Sequence, residues 1–202
     1  MCASRHNNKV SAMTFYNVIS ALLFLGAFRE VLLAVDSVSW PRIWMAGCLA
    51  TIVFNDMLST SHWVETGPKI TYSWKLMLID LLNFCLLSIA LVAISPLDNL
   101  FNAKVARLGT LLSEAVFWWL LATYWLFLML WTRLGGLPLA GNRIKFSLLV
   151  AILFAAVGVL CHCAAPDSLI EVGRCVAFAY VTGYILSRMF VDQAAEAAAR
   201  GS

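Results

Sequence analysis

Charge is what this sequence has least of: only 12% of its residues are Asp, Glu, Lys or Arg, about half the share usual in soluble domains. With 62% of the chain hydrophobic, that scarcity excludes a water-solvated globular domain. Basic runs are missing too, which removes the electrostatic footprint of a nucleic-acid binder. Alternating polar and apolar positions are also lacking. The apolar runs are too long and too continuous for strands, and an open sheet edge is not viable in lipid.

Catalytic signatures are equally scarce. The chain has no H-E-x-x-H, no G-x-S-x-G and no glycine-rich phosphate loop, so the familiar zinc, serine-hydrolase and nucleotide chemistries have no anchor. Asp56, Ser59 and His62 are the residue types of a triad, but on one helix they fan apart instead of converging. Of three histidines only one, His62, belongs to the membrane-proximal core, which argues against a bis-histidine haem, and no cofactor is expected. Six cysteines occur without a C-x-x-C pair. Cys161-His162-Cys163, with Asp167 and Cys175, is the densest group of ligand types, yet alternation at a helix end spreads its members. A disulfide among the three cysteines, on an oxidising side, is expected in preference to a metal site.

What the chain does have is apolar runs of membrane-spanning length, about 20 residues each. They predict an all-α fold, a polytopic helical bundle occupying 1–202 as a single integral membrane domain with six spans. The expected spans cover about 15–38, 43–63, 74–94, 108–131, 144–161 and 172–191. The first run is too long for a cleaved signal peptide, and no small-residue cleavage site follows it. Trp40-Pro41-Arg42 marks an interface, Ser95-Pro96 stops the third span, Gly135-Gly136-Leu137-Pro138 turns the chain after the fourth, and the loop 97–107 has room for a short interfacial helix. Span 5, with almost no polar group apart from Ser147, is expected to face lipid or a neighbouring subunit. Ala179 and Gly183 at small-x-x-x-small spacing give span 6 a face for close helix contact. Spans 5 and 6 are thus where a second copy or a partner subunit would dock.

The charges that enter these spans carry the functional argument, because each costs about 2.5 to 3.5 kcal/mol at the centre of a membrane helix on insertion scales. Arg29 and Glu30 are adjacent in span 1 and diverge by about 100° on the helix, so they must serve two different surfaces. Glu114 in span 4 lies at a depth close to that of Arg29 and is the expected ion-pair partner; Glu30 has no evident one. Glu114, Trp118, Leu121 and Trp125 share one helix face, where a carboxylate beside indole rings suits a cation. On the other side of the midplane, Asp56 in span 2 and Asp80, with Asn83, in span 3 fall at similar depths. Two carboxylates facing each other there would share a proton. His62, at the inner interface, has the chemistry of a pH sensor.

These features predict a small channel or transporter moving protons, cations or a small cationic or zwitterionic solute past Arg29, Glu30, Asp56, Asp80, Asn83, Glu114, Trp118 and Trp125. The rival from another class is an intramembrane enzyme using the carboxylates as acid and base on a lipid or isoprenoid. A third reading is a structural or assembly subunit whose polar residues only join helices. Lys and Arg counts in the connections, nine on one side against four on the other with Arg29 inside, place both termini in the cytoplasm. A membrane-impermeant reagent added outside intact cells is therefore expected to label the loop 97–107 and to leave Glu65 to Lys69 unlabelled; the reverse pattern would invert the topology.

Overall fold

The computed structural model describes residues 2–66, 74–94, 114–134, 140–163 and 165–200, and the side chains within 18–57, 74–94, 114–134, 144–163 and 165–187. All regular structure among the described residues is helical: α1 (Cys2–Asp36), α2 (Trp40–Thr66), α3 (Trp74–Ile94), α4 (Glu114–Leu134), α5 (Ala140–His162) and α6 (Asp167–Arg200). The expected interfacial helix at 97–107, the glycine-proline turn at 135–138 and the side chain of His62 lie outside the described residues. Among the described residues, five helices are long and apolar enough to cross a membrane, and the protein is a polytopic helical membrane bundle. Helix α2 buries Met45, Ala46, Cys48, Leu49, Ile52 and Val53 within it.

The helices pack in the ring order α1, α2, α6, α5, α4, α3, closed by lighter contacts of α3 with α1 and α2. The aromatic side of α4 fills the middle. Phe117, Trp118, Tyr124 and Trp125 are all but fully buried, and edge or tilted contacts join Trp118 to Phe154 of α5 at 5.6 Å and Trp125 to Tyr184 of α6 at 6.1 Å. Such pairs contribute about 0.5–1.5 kcal/mol beyond their buried area. Span 5 therefore differs from expectation on one side: α5 and α4 form the most extensive helix pair in the bundle, with Ser147, Val150, Ala151, Phe154 and Val157 buried. Its opposite side, Leu148, Leu149, Ile152 and Val159, is exposed. Small residues set the close approaches. A Cβ on Gly47 would lie 3.0 Å from the Phe178 ring, so glycine is what allows α2 and α6 to meet there.

Helix α1 has two faces with different duties. Ser20, Leu23, Ala27, Glu30 and Ala34, alternating three and four residues apart, point into the bundle and are buried, whereas Val18, Leu22, Leu25, Arg29, Leu32 and Asp36 form an outward seam of the same period. The helix then reverses into α2 through three residues, Ser37 to Ser39. Ser39 N donates to Ala34 O at 2.9 Å and Val38 N to Val35 O at 3.1 Å, the paired bonds of a Schellman cap. Val38 occupies the left-handed position of that cap at φ 52°, a conformation in which a β-branched residue is strained by about 1–2 kcal/mol. Ser39 begins the next helix by accepting from Ile43 N at 3.0 Å, and Pro41 costs nothing in a first turn that has no carbonyl for its nitrogen. Since Val38 is largely exposed, Val38→Gly is expected to stabilise the detergent-solubilised protein by about 1 kcal/mol, read as a higher midpoint of thermal unfolding.

Candidate functional site

Two polar systems cross the bundle at different levels. The first lies at the end where α1 turns into α2 and centres on Arg174, which enters from the second turn of α6. Its Nε donates to Glu114 Oε1 at 2.7 Å and its Nη2 to Glu114 Oε2 at 2.6 Å, while Nη1 donates to Glu171 Oε2 at 2.7 Å. This is a fork-on-fork pairing that uses the planar geometry of the guanidinium. The acids are themselves held. Trp118 Nε1 donates to Glu114 Oε1 at 3.0 Å, the Cys161 thiol hydrogen-bonds the same carboxylate, and Trp44 Nε1 donates to Glu171. One connected network thus joins α2, α4, α5 and α6.

Glu30 sits near the same end, only 2% exposed, with Arg42 Nη2 donating to its Oε2 at 3.0 Å. Arg29 makes a longer contact to its Oε1 at 3.4 Å and keeps 53% of its own side chain exposed. Two expectations are corrected here. Glu114 pairs with Arg174 and not with Arg29, because Arg29 projects from the outward seam of α1. Glu30, which had no evident partner, is held by Arg42 across the α1–α2 turn. Arg42 and Arg174 read in the sequence as topological charges at span ends. With α6 starting at Asp167, Arg174 is instead seven residues in, roughly 10 Å deep, and level with Glu114. Cys161, Cys163 and Cys175 are free thiols, so the expected disulfide is not formed. Among the described residues, no three His, Cys, Asp or Glu side chains converge on a possible metal position.

The second system is a layer nearer the middle. The Tyr124 hydroxyl of α4 donates to Asp56 Oδ2 of α2 at 2.7 Å. Tyr124 and Asp56 are each ten residues from the far ends of their helices, and Asn83 and Trp125 are nine from theirs. All four therefore lie roughly 14–15 Å in. Asp80 is six residues in, roughly 9 Å, one turn below Asn83 and half-buried. Asn55 and Asn83 are buried at 7% and 8% exposure. Asn83 Oδ1 and Trp125 Nε1 are buried and find no hydrogen-bond partner among the described residues, an arrangement that costs about 1–3 kcal/mol per group. Tyr124 had not been singled out from sequence. Its depth, matched to that of Asp56, was the available signal, masked by the tryptophans on either side.

No protein-family model, no curated protein and no solved structure matches this chain. The two Arg contacts with Glu30 separate by experiment. Arg42→Met leaves a buried carboxylate with one long contact and is expected to destabilise by about 3 kcal/mol, whereas Arg29→Met, at a half-exposed side chain, should cost under about 1 kcal/mol. Thermal unfolding of the two variants in the same detergent checks the ranking.

Proposed function

We propose that the protein is a small membrane channel or transporter for protons or small cations, and that the Asp56 layer is its working part. The observation that carries this reading is the Tyr124–Asp56 hydrogen bond of 2.7 Å, set at the same level as two buried polar atoms, Asn83 Oδ1 and Trp125 Nε1, that find no hydrogen-bond partner among the described residues. Ionisable groups inside a membrane bundle mark ion paths and proton relays more often than they serve packing. A hydrogen-bonded carboxylate with donors and acceptors to spare at its level supplies stations for a proton or a small cation. Asp80, one turn further along, extends the line toward the far end of α3.

Glu114 and Trp118 take a different role in this reading. Arg174 already neutralises Glu114, and Trp118 spends its only donor on the same carboxylate, so the cation of that site is a protein side chain. Arg174, Glu114, Glu171 and Trp44 then act as a lock on one end of the pathway. The completeness of that pairing also favours a second reading, a structural subunit in which every polar contact serves assembly.

Flux separates the two. In proteoliposomes under an imposed potassium diffusion potential, with an internal pH dye for protons and a sodium-sensitive dye for cations, the wild type should conduct. Asp56→Asn should reduce the rate by at least about tenfold, as expected when a group contributing roughly 1.4 kcal/mol or more to the rate-limiting barrier is lost. Tyr124→Phe should shift its pH dependence. No flux in the wild type, or unaltered flux in both Asp56→Asn and Asp80→Asn, would leave the structural reading standing.

A further inference from the structure

Arg29 is a charge inside the apolar belt that the mechanism above does not use, and its surroundings define a partner. It lies on the outward seam of α1, between exposed Leu25 and Leu32, seven residues from the helix end at Asp36. That is roughly 10 Å below the level of the turn, inside the apolar belt. Its contact with Glu30 is long, and Glu30 is already held at 3.0 Å by Arg42, so most of the five guanidinium donors face outward into lipid. Asp36 occupies the next heptad position of the same seam and is exposed, at the level where Trp40, also exposed, marks the interface. An arginine in this position snorkels toward the headgroups along its own helix. Reaching that way it shortens the rise to Asp36 of roughly 10 Å, and a zwitterionic headgroup, anionic at its phosphate and cationic at its amine, can bridge the two.

We propose that the outward seam of α1 binds an aminophospholipid, with Arg29 on its phosphate, Asp36 on its primary ammonium and Leu25 and Leu32 beneath an acyl chain. The order of the charges selects this ligand. An anionic headgroup without an ammonium would satisfy Arg29 but meet Asp36 as a like charge. A choline headgroup carries the positive charge yet has no N–H to donate to the carboxylate. A second copy of this chain packed side by side on the same seam would set Arg29 against Arg29, which disfavours a parallel homodimer here.

Native mass spectrometry of the purified protein, exposed to equimolar phosphatidylethanolamine, phosphatidylcholine and phosphatidylglycerol, tests the assignment. The wild type is expected to retain phosphatidylethanolamine above the other two. Arg29→Gln should lower that retention by about tenfold, the loss of one charge-assisted contact, while Arg29→Lys, which keeps the cation, should hold most of it and so separates loss of the site from loss of the fold. Asp36→Asn should bind lipid but no longer distinguish ethanolamine from choline. Equal retention of the three lipids, a preference for phosphatidylglycerol, variants indistinguishable from wild type, or a photo-cross-linker at position 29 that captures polypeptide instead of lipid would each overturn the proposal.

Discussion

The bidentate grip of Arg174 on Glu114 is the contact on which the turn end of the bundle depends. Helices α4 and α6 are not neighbours in the ring, and this pair ties them together across it. A guanidinium and a carboxylate in an apolar bundle are each expensive alone, and together they cancel the net charge while their fork geometry admits one arrangement. The remaining lone pairs and donors are taken up by Glu171, Trp118, Trp44 and Cys161, leaving little of the cost uncompensated. Both tryptophans are fixed by this use of their indole nitrogens, and their rings seed the aromatic packing with Phe154 and Phe178 below. The order of the core thus begins at a charge.

Helix α1 applies the same economy differently. Adjacent residues in a helix cannot share a surface, and the chain exploits this by sending Glu30 inward to Arg42 and Arg29 outward to lipid. The turn that brings Arg42 back over Glu30 is tight enough to force Val38 into a left-handed conformation. The strained Val38 cap and the tertiary ion pair thus sit at the same three-residue reversal.

Much of the fold was legible in the sequence because membrane insertion constrains it so strongly. Apolar runs located the helices, and among the described residues five are long and apolar enough to cross a membrane. The boundaries were less legible: α1 and α6 continue well past their apolar runs into helices that begin at Cys2 and end at Arg200, since nothing in a polar helix end announces where lipid stops. The divergence of Arg29 and Glu30 followed from helix geometry alone. Their partners did not, because depth along one helix says nothing about which helices are adjacent. Arg42 and Arg174 stood near span ends, where cations ordinarily report topology, and so their burial was hidden. Tyr124 escaped notice for a related reason: an aromatic in an apolar run reads as packing until a carboxylate is found opposite its hydroxyl.

In the proposed function the two polar systems do different work, a lock at the turn end and a conducting layer near the middle. Their separation is what the account most depends on. The direct measurement is ion flux through the double variant Glu114→Gln with Arg174→Met, which removes the central ion pair of the lock and leaves Glu171, partly exposed, with its Trp44 contact, reconstituted after its fold has been checked by circular dichroism and gel filtration. Flux close to that of the wild type is the predicted result. Flux abolished in a folded double variant would contradict the account, and would move the conducting site to the turn end.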